Sequence, residues 1–426
     1  MNKNKINWVA VLTMMFLFGM ISFVTNLAAP IGTIWKQAPG IEGSNTWGMM
    51  GNMMNFLAYL FMGLPAGRLL IRYGYKKTTL LAVGIGLLGV FTQFLSGQMA
   101  VGASLAGLPA NFFIYLLGAF ICGFSVCILN TVVNPMLNLL GGGGNRGNQL
   151  VQIGGTFNSL MGTLTPILVG ALIGSVTKNT VITDVNLVLY IAMGVFAATF
   201  IILLFIPFVE PEQPKSSTPV KFLLQYKHLV FGVIAIFLYV GVEVGIPGTL
   251  NFYLTDTLGT ANAAATAGVV AGTYWLLMLC GRFISSFISG KISSRTQLTA
   301  TSGLAIILVI AAMFTENITT SMPVFSVESG FGMAQVPLTA LLLVLCGLCT
   351  SVMWGTIFNL SLEGLGEHTS LASGLFMTMV FGGGVLPLLQ GAVADMTSYM
   401  TSYWVIVVAL VYILWFALMG SKVKKA

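Results

Sequence analysis

Glu243 is the residue whose position asks most of this chain. It stands near the middle of an apolar run, FLYVGVEVGIPGTLNFYLTD at 237–256. An ionised carboxylate at the centre of a membrane helix costs about 2.5–3.5 kcal/mol on insertion scales. A group kept there suits one of two tasks, carrying a proton or accepting from a ligand's hydroxyls. The structural alternative is a carboxyl hydrogen-bonded between helices. Arg282 is the second ionisable group inside an apolar run. It reads as a gate or ion-pair residue, or as a side chain that snorkels to the nearby interface.

The first half of the chain carries amides at comparable depth: Asn26, Asn52, Asn55, Asn130, Asn134, Gln152 and Asn158. Asn130 and Asn134 share one helix face, and Pro135 interrupts the helix after them. A neutral amide offers both donor and acceptor, so a cavity lined by amides suits an uncharged, hydroxyl-rich ligand. Interhelical hydrogen bonds of about 0.6 kcal/mol each are the structural alternative. In the second half Asn251, Tyr274, Trp275, Trp354, Asn359 and Gln390 offer aromatic faces with polar edges.

Other motifs fall away on context. GIGLLG at Gly84–Gly89 lies inside an apolar run with no strand before it, so it is no dinucleotide site. Gly141–Gly144 lacks the Lys-Ser/Thr of a phosphate loop and reads as a bend. His228 and His368 are too few and too separate for a metal site, and Cys346 and Cys349 lack a second pair. No serine has a base and acid partner at membrane depth. An enzyme, a metal centre and a cofactor are therefore not expected.

These residues need elements to hold them, and the composition says which. Of 426 residues, 57% are hydrophobic and 7% charged, too few charges to solvate a soluble protein of this size. Lipid must be the solvent for most of the surface. A spanning helix takes roughly 20 apolar residues. Twelve runs qualify: 8–30, 47–70, 78–97, 112–138, 149–174, 187–209, 228–254, 264–290, 297–315, 337–362, 370–394 and 401–420. Fifteen bases then fall on the side of the termini, Lys3, Arg68, Lys76, Lys215, Arg295 and Lys422 among them. Only Lys36 and Lys178 fall opposite. That excess predicts cytoplasmic termini in an inner membrane, and it accounts for the net charge of +7 without nucleic acid. The Pro/Ser-rich stretch 210–226 reads as a cytoplasmic linker. It separates a first half, 1–209, from a second, 227–426. Gly67–Arg72 after the second run and Gly290–Arg295 after the eighth echo one another, as duplication into two six-helix bundles would require.

Several stretches resemble known sequences. PAGRLLIRYGYKK, Pro65–Lys77, is similar to the loop between the second and third helices of the major facilitator superfamily, with Gly67, Arg68, Arg72, Gly74, Lys76 and Lys77 as its motif residues. Ile71 stands where the motif has an acid. Phe237–Leu254, Asn130–Gly141, Gln152–Ile173 and Thr356–Asp395 look like the fucose–galactose–glucose:proton symporter family. The last stretch is the most specific, joining a glycine-rich loop to the helix G-G-x-x-L-P-x-x-x-G. The resemblance implies proton-driven hexose or deoxyhexose uptake through a cavity between two rocking halves. It also exposes two departures. The fucose member has carboxyls in its first and fourth spans, in N-D-x-x-x-P and E-T-A-x-N-P. This chain has Asn26 and Asn130 there, in T-N-L-A-A-P and N-T-V-V-N-P.

The expectation is thus an all-α membrane protein of twelve spans in two pseudo-symmetric bundles, a secondary transporter importing a monosaccharide with protons. A uniporter of the same fold and an efflux antiporter for amphipathic compounds are the alternatives. Asn26, Asn130, Gln152, Asn158, Glu243, Tyr274 and Asn359 are the expected ligand-binding residues. Glu243 is the proton-coupling candidate and Arg282 the gate or ion-pair candidate. The expected partners are a sugar, a proton and membrane lipid, with the chain acting as a monomer.

Overall fold

The computed structural model describes residues 8–140, 144–173, 176–177, 179–206, 220–260, 262–288, 292–326, 330–365 and 369–423. Glu210–Pro219, Gly141–Gly143, Lys291 and His368 lie outside them. The apolar runs become helices: α1 (Trp8–Trp35), a short α2 (Asn45–Gly48), α3 (Met50–Leu95), α4 (Ala110–Leu140), α5 (Gly144–Ile173) and α6 (Asn186–Phe205). The second half holds α7 (Lys227–Thr257), α8 (Ala263–Ile288), α9 (Ser294–Met313), α10 (Leu338–Thr350), α11 (Met353–Leu362), α12 (Thr369–Met379), α13 (Gly382–Met396) and α14 (Tyr399–Trp415).

Among the described residues eleven helices are long and apolar enough to span a membrane. One of them, α3, has 46 residues, about 69 Å at 1.5 Å per residue and twice what a bilayer core needs. It breaks at Gly74, where φ is 75°, a conformation that an L side chain resists. Divided there, α3 supplies two spans and the total is the twelve read from the apolar runs. Beyond the break Lys76 donates to the Leu204 carbonyl, 2.9 Å away, at the end of α6. Arg72 stacks its guanidinium on Tyr73, 5.3 Å from the ring centre. Leu60, Phe61, Leu88, Phe205 and Val408 point outward as lipid-facing side chains would.

Two hairpins interrupt the helices. β1 (Ser104–Leu105) pairs with β2 (Leu108–Pro109), and β3 (Thr319–Ser326) pairs with β4 (Gly330–Pro337), both antiparallel. The second hairpin has no counterpart in the sequence expectation. Its register, Met322 opposite Ala334 and Thr320 opposite Val336, turns a small apolar face inward. Met322 is buried there, and β3 packs on α8 and reaches α5.

Within the first half α3 packs on α4 and α6, and α1 on α4 and α5. Within the second, α7 packs on α13, α14 and α11, and α8 on α10. The halves meet along α5–α8, α3–α12, α3–α13, α1–α7 and α2–α13. Glycine permits these approaches. A Cβ on Gly63 would lie 2.7 Å from the Thr378 backbone, one on Gly170 2.6 Å from the Ala264 carbonyl, and one on Gly268 2.3 Å from the Pro166 carbonyl.

Candidate functional site

The cavity between the halves is lined by five helices, three of which carry a proline where they pass it. Thr25, Asn26, Ala29 and Pro30 come from α1, Met49 and Asn52 from the start of α3, and Pro166 from α5. Val244, Pro247, Gly248 and Asn251 come from α7, and Ala271 and Trp275 from α8. The α7 positions recur at the helical spacing of three and four, forming one stripe. Proline has no N–H for the carbonyl four residues back. Pro30, Pro166 and Pro247 therefore deprive the carbonyls of Asn26, Gly162 and Glu243 of their helical donor. Backbone acceptors therefore gather around the cavity. Its volume is about 20 Å³, room for a water and far too little for a monosaccharide. Trp275 forms one wall, its ring seated on Gly162, where a Cβ would lie 2.9 Å away.

Asn26 donates to the Ser22 carbonyl at 2.9 Å and the Ser22 hydroxyl at 3.1 Å, and no side chain among the described residues donates to its oxygen. Asn52 donates across the halves to the Gly383 carbonyl at 2.8 Å. Asn251 is buried in the α7 stripe.

Glu243 lies next to this stripe, turned one position towards α8 and α10. Its Oε1 accepts from the Tyr239 hydroxyl at 2.8 Å and is 3.6 Å from Arg282 Nη2. Both side chains are 13% exposed. Arg282 also donates through Nη1 to the Gly155 carbonyl in the first half, at 2.7 Å. One guanidinium therefore touches the buried carboxyl and the opposite half at once.

The remaining expected residues are placed elsewhere. Asn130 donates to the Tyr59 hydroxyl at 2.7 Å, and Asn158 to the Phe18 carbonyl at 3.1 Å, both bracing contacts within the first half. Tyr274 is buried against α10, its hydroxyl 2.9 Å from Thr350 Oγ1, while the next residue, Trp275, lines the cavity. Asn359 is exposed on α11, and Gln390 is fully buried beside Gly245 and Ile406, within the second half. The side chain of Gln152 lies outside the described residues.

A polar cluster closes one end of the bundle, and the spacing of charges gave no hint of it. Lys36, 1% exposed, reaches Asp256 at 2.5 Å, Asn45 Oδ1 at 2.7 Å and the Tyr399 hydroxyl at 2.8 Å. Its ammonium also lies 4.7 Å from the centre of the Phe252 ring. Burial pushes the Lys36 ammonium below the ordinary lysine range, and the carboxylates of Asp256 and Asp395 pull it back up. Nearby, Asp395 accepts from the Asn45 and Thr46 amides and from the hydroxyls of Ser44 and Thr46, tying α13 to the first turn of α2.

Twelve apolar helices with an amide-lined cavity between their sequence halves define a membrane transporter rather than an enzyme. The chain belongs to the Major Facilitator Superfamily, which it matches over residues 11–386. It is 30% identical over 424 residues to a glucose/galactose transporter of Brucella abortus, covering 97% of this chain and 94% of that protein. It is 24% identical over 373 residues to the L-fucose-proton symporter of Escherichia coli, covering 80% and 77%. The solved fucose:proton symporter of E. coli superposes with a TM-score of 0.69 at 18% identity, over 98% of this chain and 100% of that one. A D-xylose-proton symporter superposes with a TM-score of 0.71 at 14% identity, over 98% and 100%.

Proposed function

We propose that the protein imports a hexose or related monosaccharide with protons, binding it in the cavity between the halves. The observation that carries this reading is the lining: three neutral amides, Asn26, Asn52 and Asn251, face an aromatic wall, Trp275, with no ionised group among them. Amides pair with hydroxyls in both directions, and an indole face covers the apolar side of a pyranose ring. The names of the relatives, a glucose/galactose transporter and a fucose-proton symporter, support the same substrate class and coupling ion.

Glu243 is the proton carrier in this reading. The cavity must widen to admit a sugar, so residues 1–209 and 227–426 act as two rocking bundles joined by the linker 210–226. The Lys36 cluster is the gate at the end away from the termini. The excess of bases at the terminal end supports an inner-membrane protein with cytoplasmic termini, working as a monomer. Asn130 and Asn158 brace the cavity wall, and Gln152 on α5 and Asn359 on α11 join the site only as the bundles move.

The test is a thermal-stability screen of the purified chain with D-glucose, D-galactose and L-fucose. Proteoliposome uptake of any sugar that stabilises it then follows, with and without an inward proton gradient. At least one sugar raises the melting temperature, and the gradient accelerates its uptake. Uptake indifferent to the gradient would make the protein a uniporter. No stabilisation by any of them would contradict the sugar reading.

A further inference from the structure

Asn52 belongs to the cavity lining and at the same time holds the two halves together. Its Nδ2 donates to the Gly383 carbonyl of α13 at 2.8 Å, and its side chain is buried. That carbonyl is available for a specific reason. In a helix it would accept from the N–H four residues on, and that residue is Pro387, which has none. The glycines around it let α13 approach. A Cβ on Gly383 would lie 2.7 Å from the Phe56 ring, and one on Gly384 3.1 Å from Met53 Cα. A carbonyl orphaned by proline in one half is therefore satisfied by a cavity amide of the other.

We infer that the Asn52–Gly383 hydrogen bond couples occupancy of the cavity to the contact between the halves, making Asn52 a positioning residue for transport. The inference rests on the sugar reading above. A ligand hydroxyl that draws the Asn52 amide into the cavity turns its Nδ2 out of line with the Gly383 carbonyl. The α3–α13 contact then loses its buried bond at the moment the cavity fills. An empty cavity restores the bond and the contact.

Two substitutions break the bond from opposite sides. Asn52→Ala removes the donor, and with it one contact to the sugar. Pro387→Ala gives Gly383 an N–H within its own helix, leaving the cavity lining intact and Asn52 released for a ligand. The readout is alkylation of Ala265→Cys by a maleimide, in a variant whose five cysteines are replaced by serine, held in lipid nanodiscs. Ala265 is 3% exposed and lies against Gly170 of the opposite half, so the reagent reaches it when the halves part.

Without sugar, both variants label about threefold faster than their parent, the effect of one interhelical hydrogen bond. D-galactose and D-glucose accelerate labelling of the parent and leave Asn52→Ala unchanged. Galactose affinity, read from thermal stabilisation, falls in Asn52→Ala and rises in Pro387→Ala. Parental labelling rates in both variants, or affinities that move in the same direction, would overturn the inference. If D-glucose, D-galactose and L-fucose all leave the parent's melting temperature unmoved, the sugar reading fails, and the labelling without sugar still decides whether this bond holds the halves.

Discussion

Lys36 and Asp256 meet across the two halves of the chain, Nζ to Oδ2 at 2.5 Å, although 220 residues separate them in sequence. The lysine is buried and the carboxylate 31% exposed, so the cation is the partner that depends on the pair. Removing one member of a buried ion pair typically costs about 3–5 kcal/mol, because the other charge is left uncompensated.

Asp256→Asn therefore favours the state in which this end of the bundle is open. In the Ala265→Cys variant, alkylation is expected to rise at least about tenfold, the equivalent of 1.4 kcal/mol. Lys36→Met combined with Asp256→Asn removes both charges and brings the rate back towards the parent. A rate unmoved by Asp256→Asn would show that the ion pair does not hold the gate.

Arg282 bridges Glu243 and the Gly155 carbonyl, and Gly155 is shaped for it. A Cβ there would lie 3.2 Å from Nη1. Gly155→Ala crowds the guanidinium, and Arg282→Gln leaves the carboxyl without its cation. Arg282→Gln is expected to lower the melting temperature and abolish accumulation of sugar, and Gly155→Ala to lessen accumulation with little change in melting. Full accumulation by Arg282→Gln would remove Arg282 from the mechanism.

The two aromatic neighbours Tyr274 and Trp275 separate binding from packing. Trp275→Leu strips one wall of the cavity and is expected to raise KM by about three- to tenfold. Tyr274→Phe loses only the bond to Thr350, lowering stability by about 1 kcal/mol with KM unchanged. On α11, Asn359→Ala is expected to raise KM by less than Trp275→Leu does, since Asn359 meets the sugar only as the bundles move. Initial uptake rates against sugar concentration check all three.

The seam of α13 offers a packing control. A Cβ on Gly382 would lie 1.9 Å from the Phe237 carbonyl, a backbone atom that cannot turn aside. Gly382→Ala is expected to destabilise the protein by about 1–3 kcal/mol. Thermal unfolding in detergent measures this.

The spans were legible in the sequence because each needs only a run of apolar residues, and the bilayer sets its length. Even the division of α3 was readable, since the bases Arg68 to Lys77 cannot lie in hydrocarbon. The second hairpin was not, because strands of eight residues with mixed faces give a weak signal beside 20-residue runs. The site was legible only as a set of residue types. Asn26, Asn52, Asn130 and Asn158 look alike in sequence, and helix rotation decides their fates. Two reach the cavity, and two donate to Tyr59 and Phe18. The position of Lys36, just beyond the end of α1, marked it as a loop base. Its burial comes from α7 and α14, distant in sequence and brought over it by packing.

Glu243→Gln in proteoliposomes tests the central claim most directly. The variant keeps the shape of the side chain and its contact with Tyr239, and it cannot release a proton. Exchange of labelled D-galactose against unlabelled sugar inside should continue at a rate close to wild type, while accumulation driven by an inward proton gradient should vanish. Accumulation at the wild-type level would contradict proton coupling through this carboxyl.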